Sequence, residues 1–230
     1  MTVWIFSNDT YGYGKEILES CVRHCERQNV KTKVIFSGRP HRAMWPTKEH
    51  LTAGAIMCFS IRTLRYLRWK WQAARRSAFS PLIVANVNSW LVRARVGKDD
   101  VGIIAGFDQI FKKTTIERFA TLLNVHPSLL PYYRGPTPSY WCIKNQENVS
   151  GFTIHRVTSK IDSGEMIHQE VVPIADDMDE SALDHAISVR AASAMPAVLD
   201  SLVNRSALEH KLVDASTLYR VHVDYTSFRK

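Results

Sequence analysis

The sequence predicts an α/β protein with a Rossmann-like three-layer fold, in which helices cover both faces of a mostly parallel, twisted sheet. Short apolar segments such as residues 3–6 and 101–107 are typical of strands that are buried on both faces. Amphipathic segments with helical spacing separate these strands. A glycine-containing loop at residues 7–14 joins the first strand to a helix, as at the start of a Rossmann-like unit. We therefore expect right-handed crossovers and a ligand site beyond the carboxyl ends of the strands.

The individual elements follow from the same periodicities. Strands are predicted at residues 3–6, 32–36, 81–85, 101–107, 122–125, 151–157 and 165–174. Helices are predicted at residues 15–28, 47–77, 90–95, 114–119, 137–145 and 176–203. Pro196 should kink or interrupt the last helix, because proline removes a helical hydrogen bond. After residue 204 the tail either adds a short strand or folds back. We expect one catalytic domain at residues 1–205 and a short extension at residues 206–230 that packs on it.

Composition and charge limit the class of protein. The chain has 230 residues, 45% of them hydrophobic, which suits one domain with a sizeable core. Its four cysteines lack the paired spacing of a zinc site, so no metal site is predicted and buried free thiols are expected. It shows no signal peptide and no apolar run of eighteen residues, which favours a cytoplasmic protein. The net charge of +8 favours an anionic partner.

A basic segment in the first half has two interpretations. Residues 61–76 combine several arginines with an apolar stripe at three- and four-residue spacing. The segment is either a surface helix packed by that stripe or a basic amphipathic surface. In the second case it would contact phosphate on an acceptor, or an anionic membrane surface.

Two polar side chains end the apolar strand at residues 122–125. Side chains two apart on a strand share a face, so Asn124 and His126 point the same way, and Pro127 ends the strand. An amide and an imidazole placed side by side can donate two hydrogen bonds to one oxyanion. A carboxylate at Asp162 could orient the imidazole or take a proton. These three residues are the candidate catalytic group.

The middle third of the chain resembles the formyltransferases that use 10-formyltetrahydrofolate. That family includes glycinamide ribonucleotide transformylase, methionyl-tRNA formyltransferase and the sugar-nucleotide N-formyltransferases. The resemblance rests on three blocks in the family's order: Asn124-Val-His126-Pro-Ser-Leu-Leu-Pro, Gly151-Phe-Thr-Ile-His155 and Asp162-Ser-Gly164. It implies that Asn124, His126 and Asp162 are catalytic, that the reaction needs no metal, and that His155 has a structural or supporting role.

The resemblance also implies where the folate donor binds, and the sequence indicates positions for the acceptor. The pterin of 10-formyltetrahydrofolate is expected in a pocket formed by Phe107, Gln109, Ile110, Phe111, Thr158, Ser159 and Lys160. The acceptor is expected near Ser128, Arg134, Gly12 and Gly14. The two glycines precede a helix whose amino terminus suits an anion. They do not complete a dinucleotide fingerprint, because Ile17 occupies the third glycine position.

The family resemblance leaves several acceptor amines open. An amino sugar on a nucleotide is the first expectation, and an amino acid or hydroxylamine in siderophore or secondary-metabolite synthesis is the second. Glycinamide ribonucleotide is a further alternative, although residues 7–14 differ from the Gly/Ser-rich phosphate loop of its enzymes. Transfer RNA is not expected as a partner, because the chain is too short for the usual nucleic-acid-binding domain. A homodimer is expected by analogy. The non-enzymatic alternative is a folate-binding protein with an inactive site, against which the complete catalytic group argues.

Overall fold

The computed structural model describes residues 1–8, 13–38 and 81–219. The strands are β1 (Val3–Ser7), β2 (Thr32–Ser37), β3 (Leu82–Val84), β4 (Val101–Ala105), β5 (Thr121–His126), β6 (Val149–Arg156) and β7 (Met166–Pro173). The helices are α1 (Lys15–Arg27), α2 (Trp90–Arg93), α3 (Lys113–Ile116), α4 (Pro138–Lys144) and α5 (Glu180–Val203), and a 3₁₀ turn covers Ala215–Thr217. The helical pattern at residues 47–77, including the basic segment 61–76, lies outside the described residues.

The described strands form one sheet in the order β3-β2-β1-β4-β5-β6-β7. The first five strands in that order pair in parallel, and β6 and β7 add antiparallel pairs at one edge. Side chains alternate between the two faces, so Val3 and Ile5 pack with α1 and α5 while Trp4 and Phe6 pack with α2 on the opposite face. This arrangement confirms the predicted three-layer α/β fold with a mostly parallel sheet.

Two glycines bring the loops after β1 and β4 into contact at the carboxyl edge of the sheet. Gly14 has φ 129° and Gly106 has φ 68°, both in the region that favours glycine. A β-carbon on Gly14 would lie 2.6 Å from the carbonyl oxygen of Ala105, and one on Gly106 would overlap the carbonyl oxygen of Tyr13. The absence of both side chains therefore allows the two loops to form one wall of the cleft described below.

Helix α5 continues through Pro196, so the expected interruption is wrong. Proline has no N–H, which leaves the carbonyl oxygen of Ala192, four residues earlier, without its helical partner. The Ser20 hydroxyl of α1 donates to that oxygen at 2.6 Å. Helix α5 is also long and apolar enough to cross a membrane by composition alone, but it packs along α1 and carries buried core residues.

Replacing Ser20 with alanine is expected to lower the free energy of unfolding by about 1–3 kcal/mol, because it leaves a carbonyl oxygen without a donor. Urea unfolding followed by circular dichroism measures the change. Ser193→Ala is the matched control on α5, because Ser193 is exposed and its hydroxyl donates within its own helix to the carbonyl oxygen of Arg190. An equal loss in both variants would show that Ser20 has no special role in accommodating Pro196.

The chain after α5 folds back along β7. Lys211 forms a parallel bridge with His168, and its backbone exchanges hydrogen bonds with Ile167 and Gln169. The contact is a single bridge and not a strand, so of the two sequence alternatives the chain takes the fold-back. The segment then reaches Tyr219, which is buried against the core. Residues 220–230 lie outside the described part of the chain.

Candidate active site

The side chain of Asn124 is oriented by His155 on the neighbouring strand. The antiparallel pairing of β5 and β6 places the two residues directly opposite each other. Asn124 Nδ2 donates to His155 Nε2 at 3.1 Å, and His155 Nδ1 lies 2.9 Å from the carbonyl oxygen of Arg156. Because a carbonyl oxygen only accepts, Nδ1 carries the proton and Nε2 is the acceptor. Asn124 Nδ2 therefore keeps its second N–H for the cleft.

His155 is held in its neutral form. Burial, reinforced by the nearby His126, lowers the pKa of His155 from 6.5 to about 4. At neutral pH it therefore remains a hydrogen-bond acceptor for Asn124. His155 was predicted to have a structural or supporting role, and its contact with Asn124 is of the supporting kind, although the sequence did not indicate which residue it would contact. The signal that could have revealed it is the strand register, which would have placed His155 opposite Asn124.

His126 has one ring nitrogen committed to the backbone. Its Nε2 lies 3.0 Å from the carbonyl oxygen of Tyr133, so Nε2 must carry a proton. The other nitrogen, Nδ1, faces Asp162 Oδ2 at 3.7 Å. In the neutral ring Nδ1 therefore has a free lone pair, and it can donate a hydrogen bond only after it is protonated. The Tyr133 carbonyl thus selects the tautomer of the imidazole.

Asp162 lies between the two histidines. Its Oδ1 is 3.7 Å from His155 Nε2, and its Oδ2 accepts the N–H of Gly135 at 2.9 Å. The side chain is only 12% exposed, and the residue adopts a left-handed backbone conformation with φ 46°. A β-carbon on Gly164 would overlap the carbonyl oxygen of Arg156, the same atom that orients His155. The Asp-Ser-Gly block therefore closes tightly onto β6.

In the Gly-x-Thr-x-His block, the contacts of Gly151 and Thr153 explain why a glycine and a threonine occupy these two positions. A β-carbon on Gly151 would overlap the carbonyl oxygen of Glu170 on β7 and lie 2.7 Å from a methyl group of Leu129. The Thr153 hydroxyl donates to the carbonyl oxygen of Ser128 at 2.7 Å and accepts the N–H of Leu130 at 2.9 Å. The block thus anchors the loop that follows β5.

Asn124, His126, His155 and Asp162 line a cleft of about 250 Å³ at the carboxyl edge of the sheet. Further wall residues come from the loop after β4, the loop after β6, and the turn before α4. Apolar walls are provided by Ile104, Phe107, Ile110 and Val157. The structure therefore brings the three catalytic candidates together beside an apolar slot with one polar side.

The predicted folate-contact residues all line this cleft, but their side chains differ in how far they are exposed to a ligand. Phe107 is partly exposed and Ile110 is half exposed. Phe111 is buried and packs edge-on against Phe6. The Gln109 side chain accepts from the N–H of Val87 and donates to Ser37 Oγ and to the carbonyl oxygen of Val84, so it ties its own loop to the ends of β2 and β3 and to the loop after β3. Its side-chain amide is therefore already engaged within the protein.

The loop after β6 contributes the remaining predicted folate contacts, Thr158, Ser159 and Lys160. All three are exposed at the cleft. Thr158 Oγ1 and Ser163 Oγ both donate to the carbonyl oxygen of Lys160, at 3.0 and 3.1 Å. These bonds stabilise the turn at Lys160, whose backbone lies at the edge of the cleft.

The four predicted acceptor residues lie in different environments. Ser128 is fully buried, and its hydroxyl donates to the carbonyl oxygen of Tyr132, so its side chain shapes the loop after β5. Gly14 is likewise buried against Ala105. Arg134 adjoins Gly135, and its buried Nε has no hydrogen-bond partner among the described residues. Gly12 lies outside the described residues.

No cluster of three His, Cys, Asp or Glu side chains able to hold a metal occurs among residues 1–8, 13–38 and 81–219. Three cysteines in these ranges, Cys21, Cys25 and Cys142, are free and buried. Burial raises the pKa of Cys142 to about 12, which keeps its thiol protonated and unreactive. Cys58 lies outside the described residues.

Comparisons with known proteins agree with this geometry. Residues 85–199, half of the chain, match the family model described as "Formyl transferase". The methionyl-tRNA formyltransferase of Citrifermentans bemidjiense is 34% identical over 122 residues, which are 52% of this chain and 38% of that protein. The chain thus spans well under half the length of that relative.

Solved structures show the same fold. A sugar N-formyltransferase from Shewanella sp FDAARGOS_354 superimposes with a TM-score of 0.62 at 20% identity, covering 93% of this chain and 74% of that one. Glycinamide ribonucleotide transformylase 1 from Symbiobacterium toebii gives 0.62 at 17% identity, covering 93% and 94%. WlaRD, a sugar 3N-formyl transferase determined with dTDP and 5-N-formyl-THF, gives 0.61 at 19% identity, covering 93% and 67%.

Proposed function

This chain belongs to the formyl transferase family, and we propose that it moves a formyl group from 10-formyltetrahydrofolate to a primary amine. The observation that carries the proposal is the convergence of Asn124 Nδ2, His126 Nδ1 and Asp162 on one cleft, each oriented by a further hydrogen bond or close contact. Formyl transfer needs donors aimed at the carbonyl oxygen and a group that accepts the proton of the amine. The cleft provides both.

The side chains divide the reaction between them. Asn124 donates its free N–H to the formyl oxygen as negative charge develops there. Protonated His126 donates from Nδ1, and the Asp162 carboxylate stabilises its positive charge. A bond forms between the amine nitrogen and the formyl carbon, and the bond from that carbon to N10 of the folate breaks. The proton that leaves the amine passes through Asp162, directly or through a water, and ends on the departing nitrogen.

The cleft fits a folate donor by its shape and chemistry. Phe107, Ile110 and Val157 offer apolar surface to the flat pterin ring, and the backbone of residues 158–160 offers polar groups to its edge. The side chain of Gln109 ties its loop, which lines the cleft, to the ends of β2 and β3, and this helps to pre-form the slot. A polar pterin edge would therefore be recognised mainly by backbone groups.

An amino sugar on a nucleotide is the acceptor that we favour. Two solved neighbours are sugar formyltransferases, and the net charge of +8 suits an anionic nucleotide. Methionyl-tRNA is the second candidate, because relatives that match in sequence at about one-third identity are methionyl-tRNA formyltransferases. An anionic acceptor is common to both, so the charge does not separate them.

A turnover assay tests the activity and the acceptor together. The protein is mixed with 10-formyltetrahydrofolate and, in separate reactions, amino-sugar nucleotides, glycinamide ribonucleotide, methionyl-tRNA, an amino acid and a hydroxylamine. Release of tetrahydrofolate is followed, with a reaction lacking amine and a His126→Ala protein as controls. Formylation of one amino sugar that is lost in the variant supports the proposal. Formylation of methionyl-tRNA alone replaces the acceptor, and release without amine identifies hydrolysis instead.

A further inference from the structure

The loop that follows β5 positions both the histidine and the carboxylate of the candidate site. The carbonyl oxygen of Tyr133 accepts from His126 Nε2 at 3.0 Å, and the N–H of Gly135 donates to Asp162 Oδ2 at 2.9 Å. Both groups are backbone atoms of one short loop. A displacement of this loop would therefore change the tautomer of His126 and the position of Asp162 together.

Tyr219 holds this loop from a part of the chain beyond the family match. The N–H of Leu129 donates to the Tyr219 hydroxyl oxygen at 3.0 Å in a buried environment. The Tyr219 ring packs edge-on against the Tyr133 ring, with centroids 4.8 Å apart. Tyr219 is only 5% exposed, and the family match ends at residue 199. One side chain from the returning segment thus contacts the loop both at its start and at the residue that orients His126.

A second link connects the same segment to the same loop. Gln169 Nε2 donates to the carbonyl oxygen of Leu130 at 2.8 Å, and its Oε1 accepts the N–H of Val213 at 3.2 Å. Gln169 is almost completely buried. The returning segment at residues 206–219 therefore supports the loop through two independent hydrogen-bond paths, one direct through Tyr219 and one through Gln169.

We propose that Tyr219 is a positioning residue for His126, and that the returning segment is part of the catalytic apparatus. The role rests on the proposed formyl transfer. The Tyr219 hydroxyl fixes Leu129 and the Tyr219 ring fixes Tyr133, so that the Tyr133 carbonyl stays within hydrogen-bond reach of Nε2. Nδ1 of His126 is thereby kept directed at Asp162 and the cleft. A purely structural Tyr219 would stabilise the fold without affecting the histidine.

Tyr219→Phe separates these roles, because it keeps the ring and removes only the hydroxyl. The N–H of Leu129 loses its buried acceptor, so the loop is expected to shift. We expect kcat to fall about tenfold or more with little change in the donor KM, since a displacement of about 1 Å near the chemistry can cost about 100-fold. In ¹⁵N-resolved histidine NMR spectra of the free protein, neutral His126 should change from almost pure Nε2–H to a mixture with Nδ1–H.

Ser20→Ala is the control, because it also removes a single hydroxyl that bonds to the backbone, but one that lies between α1 and α5, away from the loop after β5. It should lower the melting temperature and leave both kcat and the His126 spectrum unchanged. If Tyr219→Phe loses stability alone, with the His126 tautomer and kcat of the wild type, the positioning role is wrong. The NMR measurement needs no turnover, so a failure of the proposed reaction would be distinguished from a failure of this inference.

Discussion

Replacing Asn124 with alanine is expected to lower kcat by about 100- to 1000-fold, the usual cost of removing one oxyanion donor. Asn124 Nδ2 donates one N–H to His155, and the rigid geometry of the amide directs the other into the cleft. Alanine removes that donor, while β5 and its neighbours retain their backbone pairing. The folate KM should change little, because the interaction strengthens only as charge develops on the formyl oxygen.

Asn124→Asp tests the same assignment with an almost identical shape. An oxygen in place of Nδ2 would face the lone pair of His155 Nε2 and would repel negative charge on the formyl oxygen. We therefore expect this variant to be at least as slow as Asn124→Ala. Steady-state kinetics with a saturating amine measure both variants, and Asn204→Ala, at an exposed helix end, is the control. An activity within about threefold of wild type for Asn124→Ala would contradict the role as oxyanion donor.

Replacing Asp162 with asparagine is expected to lower kcat by about 100- to 10,000-fold, the range for loss of a general base. The amide oxygen can still accept the N–H of Gly135, so the loop should keep its position. The negative charge that faces His126 Nδ1 is lost, and with it the acceptor for the amine proton. The rate loss therefore reports chemistry and not unfolding, which a melting curve verifies.

The pKa of His155 gives this variant an internal check. Asp162 raises the pKa of His155, against the larger effects of burial and His126, which leave that pKa at about 4. Without the carboxylate the pKa of His155 should fall further, so the ring stays neutral and continues to orient Asn124. A histidine NMR titration measures this directly. The double variant Asp162→Asn/His126→Ala should be only slightly slower than the slower single variant, because residues that act as a unit are not additive. If the losses in kcat of the two single variants were fully additive in the double variant, Asp162 and His126 would act independently.

The fold and the three catalytic candidates could be predicted because their signals are local. A short apolar run indicates a buried parallel strand, and this signal can be read without knowing which other segments the strand contacts. The alternation of side chains along a strand then predicted that Asn124 and His126 lie on one face of β5. The Asp162 block was recognisable from its motif. Even the predicted positions of the elements agree closely with the structure, as in α1 and β2, because hydrophobic periodicity ends where a strand or helix leaves the core.

Contacts between distant segments could not be derived in the same way. His155 pairs with Asn124 because β5 and β6 are antiparallel in one register, and a shift of one residue would have turned His155 to the other face. Ser128 and Gln109 look like site residues in the sequence, but tertiary packing commits their side chains to backbone and side-chain partners within the protein. Pro196 remains inside α5 because a serine 176 positions earlier in the chain supplies the missing donor.

The sequence by itself determined which residues are the catalytic candidates, and the tertiary structure decided how each of them is oriented. The side-chain type and its place on a strand are properties of a few adjacent residues, so a linear pattern can encode them. The tautomer of His126, the rotation of the Asn124 amide and the support from Tyr219 depend on hydrogen bonds to other segments of the chain. Those partners are defined only when strand register and loop closure bring them within about 3 Å of one another.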